Sequence, residues 1–423
     1  MEVEQPLKVS NPEIPRLTVL TGLGYNLGAT LFDNFYQFLA IILGSTGIVQ
    51  GLLTSVRQLG SALLNPLYGY LSDRFGRKPF MLAGNIILAI IALIIPFSPN
   101  AEVVLFLVVV QSLFGVILFF PSWNGYLGDY TESVTRGTAI GRLSSVIGWT
   151  SNIFFLAIAI IMDFQDPTRN SIDVLRIPFL IGAIAFILSA IVTLFLPTSQ
   201  SKQKTSIFSF NIRELHLPKA FTKFIIVDAI FTLVWGAAWP LFPYVTFGIS
   251  KTWLEIGLLT VTVGIAWALS SRVGGKISDK LGRRQVIIWS RAVIIFPPIL
   301  FYFAVVTGQI YWIFISNLLV GLLLGGSMIA VQTLVLDIAP EEKKATFLSI
   351  QAMISGLSAF IGATITGFVL QFLTGNTQPS LALVGTLLLI IAVFRFIFWF
   401  VHFRIEDTLP IPLDLSALSA KKV

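Results

Sequence analysis

The chain has 423 residues, of which 55% are hydrophobic and only 12% charged, about half the charged fraction of a soluble protein. A net charge of +7 would point to nucleic acid in a soluble protein, but most basic residues here lie on one side of the predicted membrane spans, so we expect no nucleic-acid partner. The absence of cysteine excludes disulfides and thiolate metal sites, and no cluster of nucleophile, base and orienting residue stands out. We therefore expect no enzyme, no metal and no cofactor.

Twelve mainly apolar stretches are each long enough to cross a hydrocarbon core of about 30 Å as a helix. They are continuously apolar and lack the period-2 alternation of barrel strands. The sequence therefore predicts an all-α integral membrane protein of the lipid bilayer. The predicted spans cover residues 17–43, 48–71, 80–97, 102–128, 138–162, 177–196, 221–247, 255–277, 285–306, 310–337, 346–373 and 381–403.

The loops between these spans differ strongly in charge. Basic residues are concentrated in the loops on one side, and the opposite loops hold only Arg169, Arg176 and Lys251. By the positive-inside rule both termini are cytoplasmic, which agrees with an even number of spans. We expect a multi-pass protein of the plasma membrane.

A polar stretch that begins at Pro197 divides the chain into two groups of six spans. After it, one face of a short membrane-surface helix could be formed by Ile207, Phe208, Ile212 and Leu215; a plain linker is the other interpretation. The predicted units are an N-terminal six-helix bundle (1–196), a cytoplasmic linker (197–220), a C-terminal six-helix bundle (221–403) and a cytoplasmic tail (404–423).

Two copies of a charged motif stand 206 residues apart, after predicted spans 2 and 8. Residues 69–78 read Gly-Tyr-Leu-Ser-Asp-Arg-Phe-Gly-Arg-Lys, and residues 275–284 read Gly-Lys-Ile-Ser-Asp-Lys-Leu-Gly-Arg-Arg. The same tetrapeptide, Gly-Leu-Leu-Thr, precedes each copy at residues 51–54 and 257–260. A repeat at half the chain length indicates a duplicated membrane bundle.

The charged motif resembles the loop motif of the major facilitator superfamily, Gly-x-x-x-Asp-[Arg/Lys]-x-Gly, and it stands in the two places where that family carries it. A third feature agrees, because Asp129 and Arg136 follow span 4 with the spacing at which Asp337 and Lys344 follow span 10. The resemblance covers the whole chain. It implies two pseudo-symmetric six-helix bundles that move a small solute by alternating access, and we expect a monomer.

In that family the acid and the arginine of the motif join the acid below span 4 and the start of span 11, and this network latches the halves in the outward-facing state. The motif glycine would mark a place where helix 2 packs tightly. The alternative is that these charges only obey the positive-inside rule. The resemblance implies a latch and its pseudo-symmetric copy formed by Gly69, Asp73, Arg74, Gly76, Arg77, Asp129, Gly275, Asp279, Gly282, Arg283 and Asp337.

Two charged residues fall in the middle of predicted spans 1 and 2. Asp33 and Arg57 lie on the order of 15 Å from the connecting loop at about 1.5 Å per residue. A charge at that depth is expensive, and adjacent helices can bring the two together. We expect Asp33 to carry a coupling proton and Arg57 to control its affinity or to hold an anionic substrate group. A static ion pair is the alternative.

Asn26, Thr30, Asp33 and Gln37 repeat with helical spacing and predict a polar stripe on span 1. Spans 1, 4, 7 and 10 line the central cavity in the family. Tryptophans of span 7 suit a sugar ring or a flat apolar body, or else belong to an interfacial belt. The candidate substrate-binding residues are Asn26, Thr30, Asp33, Gln37, Arg57, Gln111, Trp235, Trp239, Asn317 and Gln332.

Three further charges, Asp228, Arg291 and Arg395, are expected to be structural. The arginines lie near cytoplasmic span ends and can extend to the surface, and Asp228 either pairs with one of them or lies on the exit path. The favoured function is proton-coupled uptake of a polar metabolite, a sugar or an organic acid. The first alternative is a drug/proton antiporter that exports hydrophobic or cationic compounds, although span 5 lacks the proline-containing motif of many such antiporters. The second alternative is a solute sensor that does not transport.

Overall fold

The computed structural model describes residues 16–130, 136–169, 171–197, 217–340 and 343–406. In these ranges the chain is built of helices joined by short turns. The α-helices are α1 Arg16–Ile42, α2 Gly47–Phe75, α3 Arg77–Ile94, α4 Ala101–Val110, α5 Ile117–Asp129, α6 Arg136–Gln165, α7 Ile172–Phe195, α8 Lys219–Ala237, α9 Phe242–Ile249, α10 Trp253–Leu281, α11 Arg283–Val293, α12 Phe296–Thr307, α13 Tyr311–Ile338, α14 Lys344–Thr374 and α15 Leu381–Trp399.

Two sequence predictions fall on other parts of the chain. Residues 198–216, with the possible surface helix at Ile207, Phe208, Ile212 and Leu215, lie outside the described residues, and so do tail residues 407–423. The proposed domain boundaries at 197–220 and 404 therefore stay predictions.

The fifteen α-helices of the described ranges form the twelve predicted spans. Spans 4, 7 and 9 each consist of two helices: α4 and α5, α8 and α9, α11 and α12. By length and composition alone, ten spans in the described ranges qualify as membrane-crossing, and α1 and α2 are not among them. These are the two helices whose apolar sequence is interrupted by Asp33 and Arg57, so polar residues explain the difference.

The breaks in spans 7 and 9 coincide with prolines. Pro240 and Pro243 follow the end of α8, and Pro297 and Pro298 begin α12. Proline has no N–H to donate and its ring clashes with the preceding turn, so a helix ends or bends there. The prolines thus divide each of these two spans into two helices. The two halves of span 4 are joined differently, by a π-helical stretch, Gln111–Val116.

Glycines allow close packing of helices within each bundle. Gly28 of α1 lies against Phe186 of α7, and a Cβ at Gly28 would stand 2.8 Å from that ring. Gly362 of α14 lies against the backbone of α8, where a Cβ would overlap the carbonyl of Leu233. Lipid offers helices no hydrophobic gain on association, so close contact between small residues stabilises the bundle.

The repeated tetrapeptide contributes one glycine from each half to the interface between the halves. A Cβ at Gly51 of α2 would lie 2.9 Å from the carbonyl oxygen of Ala363 in α14. A Cβ at Gly257 of α10 would lie 2.6 Å from Ala159 in α6. Each half therefore approaches the other through a glycine near the extracellular end of a span.

Two charged side chains of the N-terminal half cap helices of the C-terminal half. Asp163 Oδ1, near the end of α6, accepts hydrogen bonds from the backbone N–H groups of Trp253 at 2.9 Å and Leu254 at 3.5 Å, where α10 begins. Arg169 donates to the carbonyls of Phe247 at 2.9 Å and of Ser250, where α9 ends. An acid at a helix N-terminus and a cation at a helix C-terminus both complement the helix dipole. We call this pair, Asp163 and Arg169, the extracellular clasp.

Further hydrogen bonds between the halves lie in the extracellular half of the membrane. Thr260 donates to Asn34 at 3.1 Å, Tyr244 donates to the carbonyl of Ser45 at 3.0 Å, and Gln378 donates to the carbonyl of Ile41. Together with the clasp, these contacts close the outer side.

Candidate functional site

Asp33 of α1 and Arg57 of α2 form a two-pronged ion pair. Arg57 Nη1 lies 2.6 Å from Asp33 Oδ2, and Nη2 lies 2.9 Å from Oδ1. This geometry is the strongest that a guanidinium and a carboxylate can form. The Arg57 side chain is 34% exposed and the Asp33 side chain 29% exposed, so the pair is only partly buried. The two residues meet as their places in adjacent helices predicted; their role in coupling stays a prediction.

Tyrosines surround this pair, and the sequence analysis missed them. Tyr36 donates its hydroxyl to the carbonyl of Leu53 at 3.2 Å, which fastens α1 to α2 beside the pair. Tyr25 and Tyr36 both lie close enough to Arg57 to interact with it electrostatically. The spacing in the sequence could have predicted one of them, because Tyr36 stands three residues after Asp33 and therefore on the same face of the helix.

The polar stripe of α1 is accessible along its length. Its four members, at positions 26, 30, 33 and 37, are all half-buried. On the other side of the same helix Leu31, Phe32 and Phe35 are fully buried. Gln37 donates to the hydroxyl of Tyr36 at 3.0 Å, so the stripe and the tyrosines form one polar surface.

The candidates of spans 4 and 10 are not joined to that surface by the contacts of the described residues. Gln111 is only 1% exposed and accepts a hydrogen bond from Ser112 within the π-helical stretch, so no solute reaches it in this conformation. Asn317 donates to the carbonyl of Leu259 at 3.2 Å and ties α13 to α10. Gln332 is exposed. A role for these three in binding stays a prediction.

The tryptophans of span 7 belong to an aromatic column. Trp235 and Trp239 meet edge to face with ring centroids 5.0 Å apart, and Phe231 stacks on Trp235 at 6.0 Å. The guanidinium of Arg291 lies 4.1 Å from the centroid of Phe231, a cation–π contact. The column thus links both tryptophans to a buried charge.

That charge is part of a buried network in the C-terminal half. Asp228 is 1% exposed and accepts hydrogen bonds from Arg291, from Gln351 at 2.9 Å and from Ser355. Arg291 also contacts His402 Nε2 at 3.1 Å. The expectation that Arg291 extends to the surface was wrong, because the carboxylate and the imidazole hold its guanidinium inside the protein. Because the carboxylate and the guanidinium are paired inside the protein, we expect this network to be a structural anchor.

Charged clusters of the repeated motif lie at the cytoplasmic ends of both halves. Arg77 Nε lies 2.7 Å from Asp129 Oδ2, and Arg77 Nη2 lies 3.1 Å from Asp73 Oδ1. Arg283 forms the corresponding ion pair with Asp337. Each of these ion pairs joins helices of one half.

Glycines shape this cluster, but not all as expected. Gly76 and Gly282 have φ angles of 91° and 90°, a conformation that other residues rarely adopt, at the turns after α2 and α10. The prediction of tight packing at Gly69 was wrong, because a Cβ there would meet nothing within 4 Å. Gly125 of α5, which the sequence analysis missed, is the close contact: a Cβ at this position would overlap the guanidinium of Arg77.

The remaining latch candidates add little to the cluster. Arg74 is exposed, and its guanidinium lies 5.4 Å from the centroid of the Phe75 ring. Gly275 and the side chain of Asp279 lie outside the described residues. A latch function for any of these residues stays a prediction.

Comparisons with known proteins agree on one family. The model of the Major Facilitator Superfamily matches residues 18–363 and 224–417. Similar curated proteins include the multi-drug resistance efflux pump PmrA of Streptococcus pneumoniae, 25% identical over 280 residues (64% of this chain, 67% of that protein). Others are the PmrA homolog of Lactococcus lactis, 22% identical over 392 residues (90% and 92%), and the multidrug resistance protein MdtG of Proteus mirabilis, 27% identical over 329 residues (75% and 78%).

Solved transporter structures share the fold. The nucleoside transporter NupG is 16% identical, with a TM-score of 0.71 over 92% of this chain and 99% of that one. A bacterial homolog to the human lysosomal transporter Spinster, in an inward-facing and occupied conformation, is 17% identical, with a TM-score of 0.68 over 92% of this chain and 94% of that one.

Proposed function

The chain belongs to the Major Facilitator Superfamily, and from this premise we propose that it is a drug/proton antiporter of the plasma membrane, which exports hydrophobic or cationic compounds in exchange for protons. Secondary transport by alternating access is typical of the family. The proposal concerns the substrate class and the coupling ion.

The observation that carries the proposal is the partly exposed ion pair of Asp33 and Arg57. The charge of a carboxylate at this depth can be balanced by Arg57, by a cationic substrate or by a bound proton. The attraction between the carboxylate and a cationic group 4 Å away is worth about 4 kcal/mol at an effective dielectric constant of about 20. Proton and cation then compete for Asp33, and alternating access turns that competition into exchange.

Two further observations support export. The related curated proteins from three bacterial species are named as multidrug efflux or resistance proteins. The aromatic column around Trp235 and Trp239 offers apolar faces of the kind that bind flat organic compounds.

A second candidate, proton-coupled uptake of a polar metabolite, is favoured by the accessible polar stripe of α1. In that case an anionic group of the substrate replaces Asp33 on Arg57, and the released carboxylate takes a proton. Substrate and proton then bind together, which gives symport. Which member of the pair the substrate contacts therefore decides between antiport and symport.

The test is transport by purified protein in liposomes with an imposed pH gradient. We expect the planar cation ethidium to move against the proton flux, and Asp33→Asn to reduce the stimulation by the gradient about tenfold. Asp173→Asn is the matched control, because Asp173 is exposed and forms an ion pair with Arg176 within the first turns of α7. If the pH gradient stimulates transport by the Asp33→Asn variant as strongly as transport by the unmodified protein, the coupling proposal is wrong. Gradient-driven accumulation of sugars or organic acids, with no ethidium transport, would select the second candidate.

A further inference from the structure

A buried arginine in the last span has an unusual set of partners. Arg395 of α15 is 6% exposed, and among the described residues no carboxylate forms an ion pair with it. Its Nη1 donates to the carbonyl of Ile294 at 2.8 Å, and its Nη2 donates to the carbonyl of Trp235 at 2.9 Å. The guanidinium thus bridges two backbone oxygens of different spans. The expectation that Arg395 extends to the surface was wrong.

The breaks in spans 7 and 9 explain why these two oxygens are available. In an unbroken helix the carbonyl of Ile294 would accept from the N–H of residue 298, but that residue is a proline. At the end of α8 the N–H of Trp239 bonds to Gly236 at 3.0 Å, so the carbonyl of Trp235 keeps only a long backbone bond of 3.4 Å from the N–H of Ala238. A carbonyl with no backbone donor, or only a long bond, is costly inside the bilayer, and Arg395 supplies a short bond to each of the two.

The same geometry explains how the charge of Arg395 is tolerated. Ile294 follows the last residue of α11, and Trp235 lies two residues before the end of α8. A helix C-terminus carries about −0.5 of an elementary charge, so two such ends offset one guanidinium. A lysine would provide a compact ammonium in place of the planar fork that reaches two oxygens in different directions.

The N-terminal half provides a comparison at the equivalent position. Ser189 stands 206 residues before Arg395, and its hydroxyl donates to the carbonyl of Thr21 at 2.9 Å. The helix that it contacts, α1, is unbroken. The arginine is thus found in the half whose equivalent span is interrupted.

We propose that Arg395 is a positioning residue for the two tryptophans of span 7. One of its acceptors is the backbone of Trp235 itself, and Trp239 lies within the break that begins there. By fixing the end of α8, Arg395 sets the direction in which both indole rings leave the backbone. The consequence for substrate affinity rests on the proposed function; the positioning itself does not.

The first experiment tests positioning without transport. Because the chain has no cysteine, a Trp239→Cys variant carries a single thiol. Its maleimide labelling rate measures how accessible residue 239 is within the break between α8 and α9. We expect Arg395→Gln in this background to raise the rate about fivefold, since the end of α8 then opens locally. Arg404→Gln, an exposed arginine after the same helix, is the matched control and leaves the rate unchanged. An equal rate with and without Arg395 would overturn the proposal.

The second experiment connects positioning to binding by a double-mutant cycle. For ethidium transport in liposomes, we expect Arg395→Gln and Trp239→Phe each to raise KM about tenfold while Vmax changes little. The double variant should raise KM no further, because both changes remove the same placed ring. Additive effects would overturn the link between Arg395 and the tryptophans. If Arg395→Gln does not insert into membranes, Arg395→Lys replaces it, with the expected effects smaller but in the same direction.

The two experiments separate the possible failures. If ethidium is not transported by any variant but the labelling rate depends on Arg395, the proposed function fails and the positioning role stands. If ethidium is transported and neither labelling nor KM depends on Arg395, the positioning role fails and the proposed function stands.

Discussion

Asp163 of the N-terminal half accepts a hydrogen bond at 2.9 Å from the backbone N–H of Trp253, the first residue of α10 in the C-terminal half. The two residues belong to units that must separate on the extracellular side when the transporter faces outward. This bond, together with the cap that Arg169 provides, therefore holds only in the inward-facing arrangement. Burial lowers the pKa of Arg169, and the carboxylates of Glu255 and Asp166 oppose that effect.

Removal of the clasp should shift the protein toward the outward-facing state. A lost helix cap costs about 1 kcal/mol, so Asp163→Ala or Arg169→Gln should raise the outward-facing population about fivefold. The measurement is labelling of a Ser45→Cys thiol by an impermeant maleimide from outside, because Ser45 is fully buried beneath Tyr244. Arg176→Gln is the control, since its ion pair with Asp173 lies within one half. Unchanged labelling in both clasp variants would contradict this role.

The network around Asp228 should matter for stability far more than a surface ion pair. Arg291→Gln leaves the buried carboxylate without its counter-charge, and we expect a loss of about 3–5 kcal/mol in the free energy of unfolding. The matched control is Lys223→Gln, whose ion pair with Glu406 is 56% and 50% exposed and should contribute less than about 1 kcal/mol.

The measurement for this pair of variants is thermal unfolding in detergent. The double variant Asp228→Asn with Arg291→Gln should recover part of the lost stability, because no unpaired charge remains buried. Equal melting temperatures for Arg291→Gln and Lys223→Gln would show that the network is not an anchor.

Gly125 should be as important for the cytoplasmic cluster as the charged residues themselves. A methyl group at this position overlaps the guanidinium of Arg77, so Gly125→Ala must displace it from Asp129. We expect a loss of transport similar to that of Arg77→Gln, of about tenfold. Gly128→Ala is the control on the same helix, because a Cβ there meets nothing within 4 Å.

The double variant Gly125→Ala with Arg77→Gln, measured by the same transport assay, tests whether Gly125 acts through Arg77. If Gly125 acts through Arg77, the double variant is no worse than either single variant. A further loss in the double variant would mean that Gly125 has another role.

The sequence by itself determined the features that depend on the membrane as a solvent. Hydrocarbon requires long apolar helices, so length and composition identify ten of the spans in the described ranges, and the distribution of basic residues indicates their orientation. The duplicated motif identified the family. Even the meeting of Asp33 with Arg57 followed from the sequence, because the two residues lie at equal depth in helices joined by a short turn.

Only the tertiary structure decided the partners of residues that are far apart along the chain. The structure alone shows that Asp228 is the partner of Arg291, that Arg395 bonds to carbonyls without a carboxylate, and that Asp163 reaches α10. These contacts depend on the rotation and tilt of helices packed side by side. Those variables are set by contacts such as Gly125 with Arg77 and Gly51 with Ala363, which leave no periodic signal in the sequence. The bilayer imposes local rules on each span, whereas partner choice between spans is a property of the packed bundle.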